Sequence, residues 1–142
     1  MAAEIGDIFV DTNVLIYAYS DTELEKKKKV LSLLITESIA ISTQVVNEFI
    51  WVMNRKFNVD FGSLKFIINN IFDLYKVCII NHSAVLKAID LSKRLNFSYW
   101  DSLMLAAVLE LGCNVFYTED LQDGQNIDNQ IIVINPFIRN GG

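Results

Sequence analysis

The sequence predicts an α/β fold, a three-layer α/β/α sandwich around a short, mostly parallel central sheet. Short apolar runs rich in strand-forming residues recur along the chain, and each is too brief for a helix. Longer segments with apolar residues at helical spacing lie between them. Regular alternation of strands with helices is typical of parallel sheets with right-handed crossover connections.

Five runs are predicted as strands. The first, Ile8–Val10, ends at Asp11, where a helix-compatible run over 12–18 begins. The other four share its brevity and its apolar residues. They cover 39–41, 76–80, 114–118 and Ile131–Ile134. The polar turn residues of 121–130 predict a loop between the last two strands.

The segments between the strands are predicted as helices, over 26–35, 44–56, 60–72, His82–Leu95 and 102–109. Polar residues able to cap a helix precede several of them. These candidates are Thr22, at capping-box spacing from Glu25, then Ser42 or Thr43, Asp60 and Asn81. The segment 102–109 is almost wholly apolar, which predicts a central helix, and Gly112 is a stop signal for it.

Length and composition limit the function further. A chain of 142 residues predicts one domain over 1–142. A formal net charge of −5 excludes a general polycation for nucleic acid. The chain has neither an apolar run of the roughly 18 residues needed to span a bilayer nor the pattern of a signal peptide. We therefore expect a cytoplasmic protein without a membrane partner.

Two further features of the composition predict an interface and buried thiols rather than a catalytic site. The apolar fraction of 52%, with a mean hydropathy of +0.32, indicates a core plus an interface with a subunit or partner. Cys78 and Cys113 stand singly, which predicts buried free thiols.

The lysine run at 26–29 could contact RNA phosphates, but a solvated helix face is the favoured interpretation.

Several enzyme classes are excluded by missing motifs. The chain has no G-x-x-x-x-G-K-[ST], no G-x-G-x-x-G and no G-x-S-x-G. His82 is the sole histidine, which excludes paired-histidine catalysis and an H-E-x-x-H zinc site. Carboxylate chemistry remains, and carboxylates are preferred ligands of Mg²⁺ and Mn²⁺.

Four acidic residues in apolar surroundings are candidates for one site, and we call them the acidic quartet: Asp11, Glu48, Asp101 and Asp120. Asp11 follows a buried strand, where α/β sheets bind ligands, although it could merely cap a helix. Glu48 lies between Val45 and Val52 on the apolar side of its helix, so it needs a cation or a partner.

The last two quartet members have stronger structural alternatives. Asp101 stands at capping-box spacing from Ser98, and that role is about as well supported as a catalytic one. Asp120, considered alone, could simply stabilise a turn after its strand. If the four meet at one sheet edge, however, they cannot all stay ionised without a positive charge among them. A divalent metal would supply that charge and could also activate water against a phosphodiester.

Four motifs resemble the PIN-domain ribonucleases and, among them, the VapC-like toxins of type II toxin–antitoxin pairs. They are residues 10–16 (VDTNVLI), 45–49 (VVNEF), 99–107 (YWDSLMLAA) and 117–124 (YTEDLQDG), and the closing 135–137 (NPF) is also similar. The resemblance covers nearly the whole chain. It implies a PIN-like fold, a metal-dependent endoribonuclease, a homodimer and a small cognate antitoxin in the same cytoplasm.

The resemblance also implies roles for individual residues. The quartet would be both the catalytic residues and the ligands of Mg²⁺ or Mn²⁺. Thr12, Asn13 and Thr118 fall where the family keeps small polar groups. Asp123 lies just beyond Asp120 and could share or take over its role.

The expected reaction is hydrolysis of single-stranded or loop RNA by a metal-activated water. Nearby cations could guide the phosphates, although each is more simply a solvated surface charge. These cations are Arg55, Lys56, Lys93 and Arg94. Trp51 and Trp100 could stack a base, but packing in the core is the favoured interpretation of both.

Two rival functions stay open. One is an aspartate-nucleophile phosphatase in which Asp11 attacks, although such sites commonly have a second Asp where this chain has Asn13. The other is a catalytically silent PIN-like scaffold that binds a partner and cleaves nothing. Trapping of an aspartyl-phosphate with a metallofluoride would favour the first.

Overall fold

The structure is a computed structural model that describes residues 7–138, and in that part of the chain it contains six helices and six strands. The elements in chain order are β1 (Ile8–Val10), α1 (Thr12–Tyr17), α2 (Leu24–Thr36), β2 (Ile39–Ser42), α3 (Thr43–Phe57), α4 (Phe61–Leu74), β3 (Lys76–Cys78), α5 (His82–Leu95), α6 (Tyr99–Leu111), β4 (Val115–Tyr117), β5 (Asn126–Ile127) and β6 (Ile131–Ile134).

The six strands form one sheet in the order β3-β2-β1-β4-β6-β5. All neighbours are parallel except β5, which runs antiparallel to β6. The predicted α/β/α sandwich with a mostly parallel sheet is therefore confirmed. The chain builds the sheet outward from β1 to β3 and then crosses to β4 on the other side of β1. This reversal puts a topological switch point at the carboxyl ends of β1 and β4, where open α/β sheets bind ligands.

Local sequence signals explain most helix boundaries. Ser42, Asp60, Asn81 and Ser98 each accept a hydrogen bond from the backbone N–H three residues later. Gly112 ends α6 with a φ of 70°, in the left-handed region that glycine adopts without strain. The capping box predicted at Thr22 is wrong. The α2 helix begins at Leu24, one residue too late for that spacing, and no side chain caps it.

β2 and β4 differ from the predicted runs by one residue at one end or both, and two differences are larger. The third strand ends at Cys78 rather than at residue 80, because the N–H of Ile80 donates to the Thr43 hydroxyl (3.0 Å) outside the sheet. The predicted loop 121–130 contains β5, which pairs with β6 through a turn at Asp128 and Asn129, both at positive φ. A strand of two residues with one apolar side chain has no periodicity for a sequence pattern to detect.

The core confirms the burial predicted for β1, for the central helix and for the two thiols. Every residue of β1 is buried, and all residues of the predicted central helix from Ser102 to Val108 are buried in α6. Cys78 and Cys113 are buried free thiols, as predicted. Within residues 7–138, none of the helices combines the length and the hydropathy needed to cross a bilayer.

Candidate active site

The first site residues emerge where β1 and β4 end side by side. Val10 is paired with Tyr117, and the next residue along, Asp11, donates its backbone N–H to the Tyr117 carbonyl (3.1 Å). Asp11 also caps α1, because its Oδ1 accepts from the N–H of Val14 (3.0 Å). The capping role foreseen for Asp11 is therefore real, and it leaves the carboxylate at the switch point of the sheet.

The carboxylate of Asp11 is held in a desolvated position. Asp11 is 4% exposed. Thr118, which directly follows β4, donates its hydroxyl to Oδ2 of Asp11. Burial raises the pKa of Asp11 to about 7, against the opposing effect of the hydrogen bonds from Thr118 and Val14. The negative charges of Asp120 and Glu119 raise this pKa further.

Glu48 reaches the same place from α3. Its side chain is half-buried, as its position between apolar residues predicts, and its Oε1 accepts from the hydroxyl of Thr12 (2.5 Å). Thr12 and Thr118 therefore each orient one carboxylate of the quartet, and both line the same space as those carboxylates. These small hydroxyl side chains serve as donors that fix the direction of acceptor-only groups.

Asp101 and Asp120 complete the quartet. Ser98 caps α6 by accepting from the N–H of Asp101 (3.1 Å), while the carboxylate of Asp101 accepts no hydrogen bond from residues 7–138. Only half of the predicted capping box is formed. Asp120 donates its backbone N–H to Thr118 (3.0 Å). Burial, followed by the negative charges of Asp101, Glu119 and Glu48, raises the pKa of Asp120.

All four quartet residues line one cleft of about 490 Å³, as the convergence argument requires. Asn13 also lines it, as expected from the sequence, together with residues that were not anticipated. These are Gln44, Asn47, Val52, Met104, Phe116 and Leu121. Asp123 is not part of the lining, and its Oδ1 accepts instead from the N–H of Asn135 (2.8 Å), which fixes the loop after β4.

The quartet supplies donors of the type that hard divalent ions prefer. Within residues 7–138, however, no three Asp, Glu, His or Cys side chains are arranged around one point to bind an ion. The reason is visible in the hydrogen bonds, since Asp11 and Glu48 direct oxygens toward Thr118, Val14 and Thr12. The donor set therefore fits a divalent cation chemically, and its side chains have to draw together to share one.

The prediction that the two tryptophans pack in the core is wrong. Trp51 is 62% exposed, Trp100 is 63% exposed, and both line the cleft. A sequence signal for this was present, because Trp51 follows Glu48 by three residues and Trp100 directly precedes Asp101. Gln44 lies on the same side of α3 as Glu48, four residues before it, and Asn47 is three residues after Gln44.

Three basic residues singled out in the sequence have specific partners of their own, and none of them lines the cleft. Lys26 pairs with Glu119 (2.7 Å), so the interpretation of the lysine run as a solvated face is wrong for this residue. Arg94 forms two hydrogen bonds with the carboxylate of Asp128 (2.7 and 2.8 Å). The guanidinium carbon of Arg55 lies 4.6 Å from the centre of the Trp51 ring.

Known proteins resemble this chain in sequence and in fold. A sequence model of the PIN domain matches residues 8–122. No curated protein matches the sequence. Among solved structures, VapC20 of Mycobacterium tuberculosis, described as a sarcin–ricin loop cleaving toxin, superposes with a TM-score of 0.67 at 17% identity, over 80% of this chain and 90% of that one.

Two further structures show the same fold. A toxin–antitoxin complex from Klebsiella pneumoniae gives a TM-score of 0.67 at 18% identity, over 92% of this chain and 98% of that chain. FitAcB from Neisseria gonorrhoeae gives 0.64 at 16% identity, over 93% and 99%. At such identities the likeness shows the shared architecture.

Proposed function

The chain belongs to the PIN-domain family, and from this premise we propose that it is a metal-dependent endoribonuclease, the toxin of a toxin–antitoxin pair. One observation carries the proposal: four carboxylates line one cleft, and no lysine or arginine is among the described residues that line it. Carboxylates that share one cleft cannot all stay ionised without a positive charge, and the described lining contains none.

The quartet would hold Mg²⁺ or Mn²⁺, and the bound ion would activate water and stabilise the leaving oxygen of an RNA phosphodiester. The chain itself supplies orientation. Thr118 and Val14 fix both oxygens of Asp11, and Thr12 fixes Glu48. A cation beside the buried Asp11 would favour its ionised form and bring its pKa down from about 7.

Water is the nucleophile in this proposal, in place of a side chain. Both oxygens of Asp11 accept hydrogen bonds, which makes this carboxylate a poorer nucleophile than a free one. Asn13 stands where an aspartate-nucleophile phosphatase commonly has a second Asp. These two observations support hydrolysis over the formation of an aspartyl-phosphate.

The proposal includes two protein partners in the cytoplasm, a second copy of the chain and an antitoxin. Solved structures with this fold include a toxin–antitoxin complex and the complex of FitAB with a DNA fragment. In this chain α4 exposes Phe61, Phe66, Phe72 and Leu74, each at least 49% accessible. Because apolar surface of this kind favours association, we expect light scattering to detect a dimer, and a monomer at all concentrations tested would contradict that part of the proposal.

The nuclease activity is tested by cleavage of transfer, ribosomal and messenger RNA fragments with Mg²⁺ or Mn²⁺. We expect cleavage by the wild-type chain, its loss with a chelator, and its loss in Asp11→Asn and Asp101→Asn. The Asn side chain keeps the Oδ1 that caps α1, so Asp11→Asn should fold.

The matched control is Asp73→Asn, which removes an exposed carboxylate on α4 outside the cleft and should cleave like the wild type. Full cleavage by a folded Asp11→Asn protein would reject the mechanism. A folded wild-type chain that cleaves no RNA with either ion would favour the silent scaffold.

A further inference from the structure

Two exposed indoles line the same cleft as the four carboxylates. Trp51 extends from α3 three residues after Glu48, and Trp100 extends from α6 directly before Asp101. Each is more than 60% exposed, and both line the cleft. Tryptophan is usually buried to a large extent. Two exposed indoles in one concave site therefore indicate a ligand with flat apolar faces.

Each indole is restrained by a neighbour. The side-chain Nε2 of Gln44, itself 7% exposed, donates to the carbonyl of Trp100 (3.2 Å), which ties the first turn of α6 to α3. The ring of Tyr99 lies edge-on to the ring of Trp100 with centroids 5.3 Å apart. Arg55 lies over the ring of Trp51. Rings held in this way lose little freedom when they bind a ligand.

We propose that Trp51 and Trp100 stack unpaired bases of the strand whose phosphodiester is held at the quartet. This inference rests on the proposed nuclease function and names the two side chains that would contact the bases of its RNA substrate. Every base has a π-face, so stacking provides affinity with little sequence preference. Bases inside a duplex are already stacked on one another and are not available to the indoles.

The negative charge of the protein indicates that its affinity for RNA has to come from stacking. The protein has a net charge of −5, and the cleft is lined by four carboxylates, so electrostatics alone would repel a polyanion. Stacking is independent of that charge. Arg55 adds one positive charge beside the Trp51 ring, outside the acidic centre. The polar lining from Asn13 and Asn47 also suits nucleotides better than an apolar protein surface.

The chain offers a direct optical test, because Trp51 and Trp100 are its only tryptophans. Indole fluorescence of the Asp11→Asn protein is titrated with a short single-stranded RNA in the presence of Mg²⁺. The same RNA annealed to its complement, and an abasic version of it, are titrated in parallel. We expect strong quenching by the single strand and weak quenching by the duplex and by the abasic strand.

Substitutions then assign the effect to the rings. In the Asp11→Asn background, Trp51→Leu and Trp100→Leu should each weaken binding of the single strand about 5- to 150-fold, the range expected for loss of one base–aromatic stack. The corresponding Phe variants keep a ring and should lose much less. The matched control is Leu86→Ala, which truncates an exposed apolar side chain on α5 outside the cleft and should bind like its parent.

The outcomes separate this inference from the nuclease proposal. Leu variants that bind RNA like their Asp11→Asn parent, and that cleave like the wild type when Asp11 is restored, would overturn the stacking role and leave the nuclease standing. A wild-type chain that neither binds nor cleaves RNA would overturn both. Indole emission that changes with protein concentration, but not with added RNA, would assign the pair to an interface between copies and also overturn the inference.

Discussion

Two consecutive carboxylates after β4 occupy opposite electrostatic surroundings. Glu119 accepts from the ammonium of Lys26 (2.7 Å) and from the hydroxyl of Tyr17 (2.6 Å). The carboxylate of Asp120 has no donor within residues 7–138 and faces the charges of Asp101 and Glu48, which add to burial in raising its pKa.

The comparison separates a structural carboxylate from one that is available to a ligand. The Lys26 ammonium also lies 4.9 Å from the ring centre of Tyr17 and 5.2 Å from that of Phe137, so α2, α1 and the C-terminal segment meet around Glu119. The ammonium of Lys26, which could neutralise the cleft, is therefore already paired with Glu119 beside it. The uncompensated charge of Asp120 and its neighbours is the feature that an external cation would relieve.

The largest expected difference is in cleavage. Asp120→Asn should lower the rate of RNA cleavage about 1,000-fold, as expected when a group that stabilises transition-state charge is lost. Its free energy of unfolding should be unchanged or higher, because one repelling charge is removed. Glu119→Gln should change cleavage only a few-fold and should lower the free energy of unfolding. Cleavage rates and urea unfolding of Asp120→Asn and Glu119→Gln measure this difference, and equal cleavage rates in the two variants would contradict the prediction.

The second expected effect is a pH dependence of stability, measured in chelator. The pKa of Asp11 is about 7 in the folded chain and near its ordinary value of 3.8 when unfolded, so folding takes up a proton at pH values between these two. The free energy of unfolding therefore falls as pH rises from about 4 to about 7, by at most about 4 kcal/mol. Asp11→Asn lacks this decline, and its advantage over the wild type should grow across that window.

The control for this pH effect is Asp73→Asn, whose exposed carboxylate should leave the wild-type profile unchanged. Asp120, whose pKa is also raised, adds a decline of the same sign in the wild type and in Asp11→Asn. Parallel profiles for the wild type and Asp11→Asn would show that the folded chain does not hold this proton.

A third prediction concerns the ion itself. Mg²⁺ at about 100 times its dissociation constant should stabilise the wild-type chain by about 2.7 kcal/mol, if it binds only the folded state. Asp120→Asn should lose most of this stabilisation, whereas Glu119→Gln should retain it, because Lys26 already occupies that carboxylate. Thermal unfolding with and without Mg²⁺ measures the difference, and identical shifts in both variants would place the ion elsewhere.

The smallest effect is expected at the lysine. Lys26→Met should lower the free energy of unfolding by about 1 kcal/mol, the upper range for a partly exposed ion pair, and should leave cleavage nearly unchanged. Lys28→Met is the matched control, since its pair with Glu25 is 3.9 Å long and highly exposed. A large loss of cleavage in Lys26→Met would mean that this lysine serves the cleft.

The sequence predicted the parts of the fold that depend on near neighbours. Buried β1 and the central α6 carry continuous apolar runs, and Ser42, Asp60 and Asn81 cap helices through contacts three residues away. The failures are equally local, because β5 is too short for a period and Thr22 lies one residue outside α2. Each quartet residue was likewise marked by its own neighbours in the chain.

The sequence alone set the chemistry of the site. It places acidic side chains at strand ends and on apolar helix faces, and it lacks the paired histidines and phosphate-binding motifs that other kinds of catalytic site need. The tertiary structure decided which charges are paired and which rings are covered. Lys26 meets Glu119 across 93 residues of sequence, and nothing among residues 7–138 covers most of Trp51 or Trp100. The physical reason is that capping and periodicity act within a few residues, whereas ion pairing and burial depend on which distant elements the sheet order brings together.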